Sequence, residues 1–131
     1  NFTIDNDRFN QRRIALNTIP NELIENDIQF KPRTETWKKI SEYCFVLSPA
    51  GIGLDCHRTW EALCLGCIPI ICIKEFKILF KDLPVLIVND WSEVTKDLLE
   101  NTIESFKNRE FDKNKLTLNY WTTLINNKKI N

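Results

Sequence analysis

The 131-residue chain has no net charge, a single histidine and only three glycines, and no long apolar run interrupts it. With 18 basic and 18 acidic residues it has no global field to gather nucleic acid or an anionic membrane. Nucleic acid is therefore not an expected partner, and any anion must be held by a local site. One histidine gives no support, beyond chance proximity, to a Ser-His-Asp triad or a two-histidine metal site. A transmembrane helix needs about 18 consecutive apolar residues. The longest stretch, Cys67 to Ile73, is short, is broken by Pro69 and reads as a buried strand. Asn1 to Asp5 has no basic region, no long apolar core and no methionine, so it is not a signal peptide. It starts as though mid-strand, which suggests a chain cut from something longer. No internal repeat or low-complexity linker is visible. Residues 1–131 fit a single domain with one core.

Hydrophobic residues make up 43% and charged residues 27%, the composition of an ordinary globular domain. The five cysteines are Cys44, Cys56, Cys64, Cys67 and Cys72. An odd number in apolar surroundings points to a reducing compartment and to small buried hydrophobes. Cys64-x-x-Cys67, near Cys56 and His57, invites a zinc-binding alternative. No second paired cluster completes a tetrahedral site. A redox role for Cys64 and Cys67 fits poorly, because a reactive CxxC opens a helix and this one closes it.

Strand and helix patterns alternate along the chain. Phe2 to Ile4 and Ile28 to Phe30 read as short strands. Cys44 to Leu47, Ile68 to Ile73 and Val85 to Val88 are continuous apolar runs, as expected of strands buried on both faces of a parallel sheet. Asn6 or Asp7 is expected to cap a helix reaching Asn17 with Phe9, Arg13 and Leu16 on one face. Thr34 is expected to cap a helix facing inward through Trp37, Ile40 and Tyr43. Asp55 is expected to cap one through Leu65, with Gly66 as its C-terminal glycine. Ser92 is placed as the cap of a helix over Glu93 to Glu100. Phe76 to Leu83 reads as one or two helical turns. A last helix over Lys115 to Asn126 is expected to bury Leu116, Tyr120, Trp121 and Leu124. The fold class is therefore α/β, a Rossmann-like parallel sheet with helices on both faces, and ligands bind beyond the carboxyl ends of such strands.

Two of the three glycines fall in the loop Ser48 to Leu54, which lies at that location. Phe45 to Leu63 reads Phe-Val-Leu-Ser-Pro-Ala-Gly-Ile-Gly-Leu-Asp-Cys-His-Arg-Thr-Trp-Glu-Ala-Leu, a strand, a glycine loop and a helix. A helix start offers unpaired N–H groups and about half a positive charge. Gly51 and Gly53 let a phosphate approach the backbone, and Ser48 adds a hydroxyl. Arg58 can supply a bidentate charge to a diphosphate. Glu61, three residues on, can accept from ribose hydroxyls, and His57 can donate to a phosphate or a sugar hydroxyl. Plainer alternatives stand beside each: a tight turn at the glycines, a surface ion pair of Arg58 and Glu61, a structural His57, Asp55 as a helix cap rather than a base, and Trp60 as core packing. The loop is neither a Walker A loop nor a GxGxxG fingerprint.

This segment, followed by Leu-Gly-Cys-Ile-Pro-Ile-Ile at Leu65 to Ile71 and Leu-Pro-Val-Leu-Ile-Val-Asn-Asp-Trp-Ser-Glu-Val-Thr at Leu83 to Thr95, resembles the C-terminal signature of exostosin-like glycosyltransferases. The version here looks closest to the branch with the ribitol xylosyltransferases. The resemblance spans about residues 1–125 and is specific over 45–95. It implies the nucleotide-sugar-binding half of a GT-B enzyme, which transfers sugar from a nucleotide diphosphate sugar, such as a UDP-sugar, to a glycan hydroxyl with inversion. It implies that Ser48, Gly51, Gly53 and Arg58 hold the diphosphate and that Glu61 holds the ribose, with His57 among the donor-binding residues. The segment after Ile28 would lie near the base. Arg58 would be the catalytic contribution, stabilising the leaving diphosphate in place of a metal, so no cofactor or metal is implied. An N-terminal acceptor-binding domain and a glycan acceptor are the implied partners. The chain itself shows no such domain, so it reads as a half that is inactive by itself, and a non-catalytic nucleotide-binding or scaffold module is the alternative. The compartment stays open: Golgi-type by resemblance, cytoplasmic by the lack of a targeting segment.

Overall fold

The computed structural model describes residues 7–26 and 31–129, with side chains to Lys128. The expected strands Phe2 to Ile4 and Ile28 to Phe30 lie outside the described residues. Among those described, three strands, β1 (Phe45–Leu47), β2 (Ile68–Ile71) and β3 (Leu86–Ile87), form an open, all-parallel sheet in the order β1-β2-β3. Phe45 stands opposite Ile68, and Ile70 opposite Leu86. The helices are α1 (Gln11–Thr18), α2 (Arg33–Ile40), α3 (His57–Cys64), α4 (Lys96–Lys107) and α5 (Leu118–Lys129).

Side chains alternate across a strand, so the neighbours Ile70 and Ile71 serve opposite faces. On one face Ile70 and Val88 pack with Ala15 and Ile19 at α1, with Trp91 and Val94, and with Leu98 and Leu99 of α4. On the other, Ile71 packs with Leu63 of α3, Phe80, Leu83 and Val85. Val46 and Cys67 pack there with Ala62 of α3 and Ile40 of α2. Burial from both sides explains why all four β2 residues are apolar and buried. The expected mixed α/β class, with a parallel sheet covered on both faces, is what the structure shows.

Pro69 sits in the central strand, where proline is normally excluded because it cannot donate to the ladder. The ladder bonds of Ile68 and Ile70 run to β1, through Ile68 N to Cys44 O at 2.7 Å and Ser48 N to Ile70 O at 2.9 Å. The Pro69 backbone therefore faces the β3 side, where pairing begins only one residue later, at Ile70.

Several boundaries differ from the sequence expectation. Helix α1 starts at Gln11 after Asn10 in a left-handed conformation, and it buries Arg12 and Ala15 instead of the face through Phe9 and Arg13. Asp7 still satisfies a first-turn amide of α1, as expected of a capping carboxylate: its Oδ2 accepts from Arg13 N at 2.9 Å. Thr34 lies inside α2, which follows Pro32; proline fixes the backbone angle that starts the turn. Tyr43 is exposed and bonds Glu25. The expected helix over 93–100 is two elements. A 3-10 turn at Trp91–Glu93 is capped by Asp90, and α4 is capped by Thr95, whose hydroxyl accepts from Leu98 N at 3.2 Å. The turn after β2 is a 3-10 turn at Lys74–Lys77, and α5 begins only at Leu118 after another at Lys113–Leu116. Trp121 packs edge-on to Trp60 with ring centroids 6.0 Å apart, whereas Leu124 is exposed.

Candidate functional site

The strands end at one edge, and three segments gather there. The chain leaves β1 through Ser48 to Leu54 and enters α3. It leaves β3 into the turn at Trp91. The amino end of α1 is fixed to that turn by the Trp91 indole, which donates to Gln11 Oε1 at 2.6 Å. This bond places Arg12, the next residue, beside the glycine loop.

Ser48 is 2% exposed, and its hydroxyl lies 2.8 Å from that of Thr59 in a buried pair. With its amide committed to Ile70, Ser48 ties the loop to both β2 and α3. Gly51 is buried, and its amide donates to Gly53 O at 3.1 Å. A Cβ on Gly51 would overlap the Arg12 guanidinium and stand 3.1 Å from its Cζ. The close approach that glycine permits is thus used here by an arginine. Gly53 is exposed, and a Cβ there would meet nothing nearer than Asp55 O at 3.5 Å.

Helix α3 starts after Cys56, which provides no side-chain cap. Asp55 was the expected cap, but its Oδ1 accepts from Cys56 N at 2.9 Å and from the Trp60 indole at 3.0 Å. It therefore anchors Trp60, which packs on Phe80 with ring centroids 5.3 Å apart, as expected of a core residue. The start of α3 is open to solvent: Ile52, Gly53, Leu54, Asp55 and His57 are all exposed.

Arg58 is half-buried in the first turn of α3, and its Nη1 lies 3.6 Å from Cys56 Sγ. Burial holds its pKa below the ordinary arginine value. Cys56 beside it acts the other way, the positive charge of Arg12 lowers it further, and Glu61 raises it. Arginine remains charged across the working pH range, so the opposing influence of Arg12 means that two cations converge on one loop. Arg12 is only 9% exposed. Glu61, also on α3, makes an ion pair with Arg33 of α2, Nη1 to Oε1 at 3.2 Å.

The structure thus gathers Ser48, Gly51, Gly53, His57 and Arg58 at one end of the sheet, while Glu61 faces α2 one turn further along α3. Sequence reasoning missed Arg12 and Thr59. The signal for Arg12 was an arginine sharing a helix face with Ala15 and Ile19, both apolar and buried. A cavity of about 170 Å³ lies beside β1, lined by Leu16, Leu23, Ile24, Tyr43, Phe45 and Leu47 among others, and no residue of the loop borders it. Cys67 is buried and donates from Sγ to Ile40 O at 3.4 Å, and Cys64 is exposed. Among the described residues no helix is long and apolar enough to cross a membrane.

Comparison with protein-family models gave no match, and comparison with curated proteins gave none either.

Proposed function

We propose that this chain is the nucleotide-sugar-binding half of an exostosin-like, GT-B glycosyltransferase, and that it holds the diphosphate of a UDP-sugar at the Ser48–Gly53 loop. The observation that carries the proposal is the convergence of Arg12, from α1, and Arg58, from α3, on a glycine loop beyond the carboxyl end of β1. Each guanidinium can give paired N–H bonds to a diphosphate oxygen, and a partly desolvated setting strengthens such charged hydrogen bonds. The open start of α3 adds first-turn amides and the positive end of the helix dipole.

In the transfer, the acceptor oxygen attacks the anomeric carbon as the bond from that carbon to the diphosphate oxygen breaks. The electron pair leaves with the diphosphate, and the guanidiniums stabilise the charge that develops there. Deprotonation of the acceptor hydroxyl belongs to the acceptor-binding domain that faces this half in a GT-B enzyme. Glu61, held by Arg33, contributes its carboxylate to the ribose hydroxyls, and exposed His57 donates to the sugar or phosphate rim.

Transfer is tested by incubating the chain, joined to an acceptor-binding domain, with a panel of UDP-sugars and glycan acceptors, followed by mass spectrometry. A mass gain of one sugar, lost in Arg58→Ala, supports the proposal. UDP binding without transfer to any acceptor is the behaviour of a non-catalytic nucleotide-binding module. Neither binding nor transfer contradicts both.

A further inference from the structure

The opposite end of the sheet carries a pair of thiols unrelated to the glycine loop. Phe45 pairs with Ile68 in parallel register. One step back along both strands therefore sets Cys44 opposite Cys67. The ladder continues to that step, since Ile68 N donates to Cys44 O at 2.7 Å. Paired strands lie about 4.8 Å apart, which brings the two Cα atoms within the usual 4.4–6.8 Å span of a disulfide. Residues opposite one another in a parallel pair point to the same face, and Cys67 packs with Val46, two residues after Cys44. The Cys67 Sγ is turned toward Ile40 O, at the end of α2, four residues before Cys44. Burial pushes both the Cys44 and the Cys67 thiols up, and Cys44 raises Cys67 further, so the two thiols stand close enough to influence each other and both are protonated at rest. Two of the other three thiols lead elsewhere: Cys72 bonds Asn89 O, and Cys56 adjoins Arg58; the third, Cys64, is exposed at the end of α3.

We propose that Cys44 and Cys67 form a redox-active pair that a small-molecule disulfide oxidises to a disulfide joining the amino ends of β1 and β2. Cys44 is exposed and Cys67 buried, which fixes the order of events. The Cys44 thiol loses its proton and attacks one sulfur of the small disulfide, such as oxidised glutathione. The S–S bond breaks, a mixed disulfide forms and one thiolate leaves. The Cys67 thiol then loses its proton and attacks the Cys44 sulfur, which expels the second thiolate. The protein loses two electrons and two protons, and the small disulfide becomes two thiols. The link lies at the ladder's first step, where the strand ends can adjust to bring the two Cβ atoms together.

The test uses the whole chain, reduced and then exposed to oxidised glutathione, with thiols counted in denaturant and the bridge located by mass spectrometry. Wild type is expected to lose two of its five thiols without retaining glutathione. Cys64→Ser and Cys56→Ser should each still close the bridge, whereas Cys44→Ser, a change at an exposed position, should not. UDP binding, at the other end of the sheet, should be the same before and after oxidation. Five thiols remaining free, a persistent glutathione adduct, or loss of closure in Cys64→Ser overturns the proposal.

Discussion

Gly51 and Gly53 are chemically identical and two positions apart, yet the structure gives them different duties. A methyl group at Gly51 meets the Arg12 guanidinium, and one at Gly53 meets open space or ordinary contact. Gly51→Ala is therefore expected to push the buried Arg12 guanidinium aside, weaken UDP binding and cost about 1–3 kcal/mol of stability as the packing around Arg12 gives way. Gly53→Ala should be close to neutral in both. Calorimetric titration and urea unfolding of the two variants make the comparison. Ser48 offers a second test. Ser48→Ala leaves the buried Thr59 hydroxyl without its partner, which costs about 1–3 kcal/mol, and pairing it with Thr59→Val should recover much of that loss. The glycines and Arg58 were legible in the sequence because they cluster in a few positions. Arg12 was not read: its shared face with Ala15 and Ile19 marks an inward-facing arginine, but its place beside Gly51 depends on how α1 packs, which that pattern does not record.

At the scale of elements, the sequence marked each helix near its place but misjudged how it starts. Asp55, Thr34 and Ser92 were each plausible caps. The Asp55 carboxylate is taken by Trp60, Pro32 starts α2 earlier, and Ser92 falls within a 3-10 turn. Each outcome is decided by a competing local partner that composition does not rank. The end of α3 was easier to read. Gly66 adopts φ 80°, Gly66 N donates to Leu63 O at 3.1 Å, and Cys67 N to Ala62 O at 2.9 Å, the paired bonds of a glycine-terminated helix. Gly66→Ala forces a side chain into the left-handed region and should cost about 1–2 kcal/mol in urea unfolding. Thr95→Ala removes the cap of α4 and should cost about 1 kcal/mol by the same measurement. Neither change touches the glycine loop, so UDP affinity should survive both.

At the scale of the whole molecule, the parallel sheet was readable because three apolar runs, each too short for a helix, alternate with helical segments. The arrangement places the loop, the open end of α3 and the amino end of α1 at one edge of the sheet. The chain carries no net charge, so its attraction for a diphosphate rests on this local convergence and should fall as salt rises. A ligand that binds only the folded form also stabilises it, by about 2.7 kcal/mol at a hundredfold excess over Kd. UDP should therefore raise the thermal midpoint at low salt. The most direct test of the account is calorimetric titration of UDP into wild type and Arg58→Ala under those conditions. The account predicts that Arg58→Ala loses about 1.5–3 kcal/mol of binding, the worth of a charged hydrogen bond, which is roughly 10- to 150-fold in Kd. Equal affinity in the two proteins contradicts it.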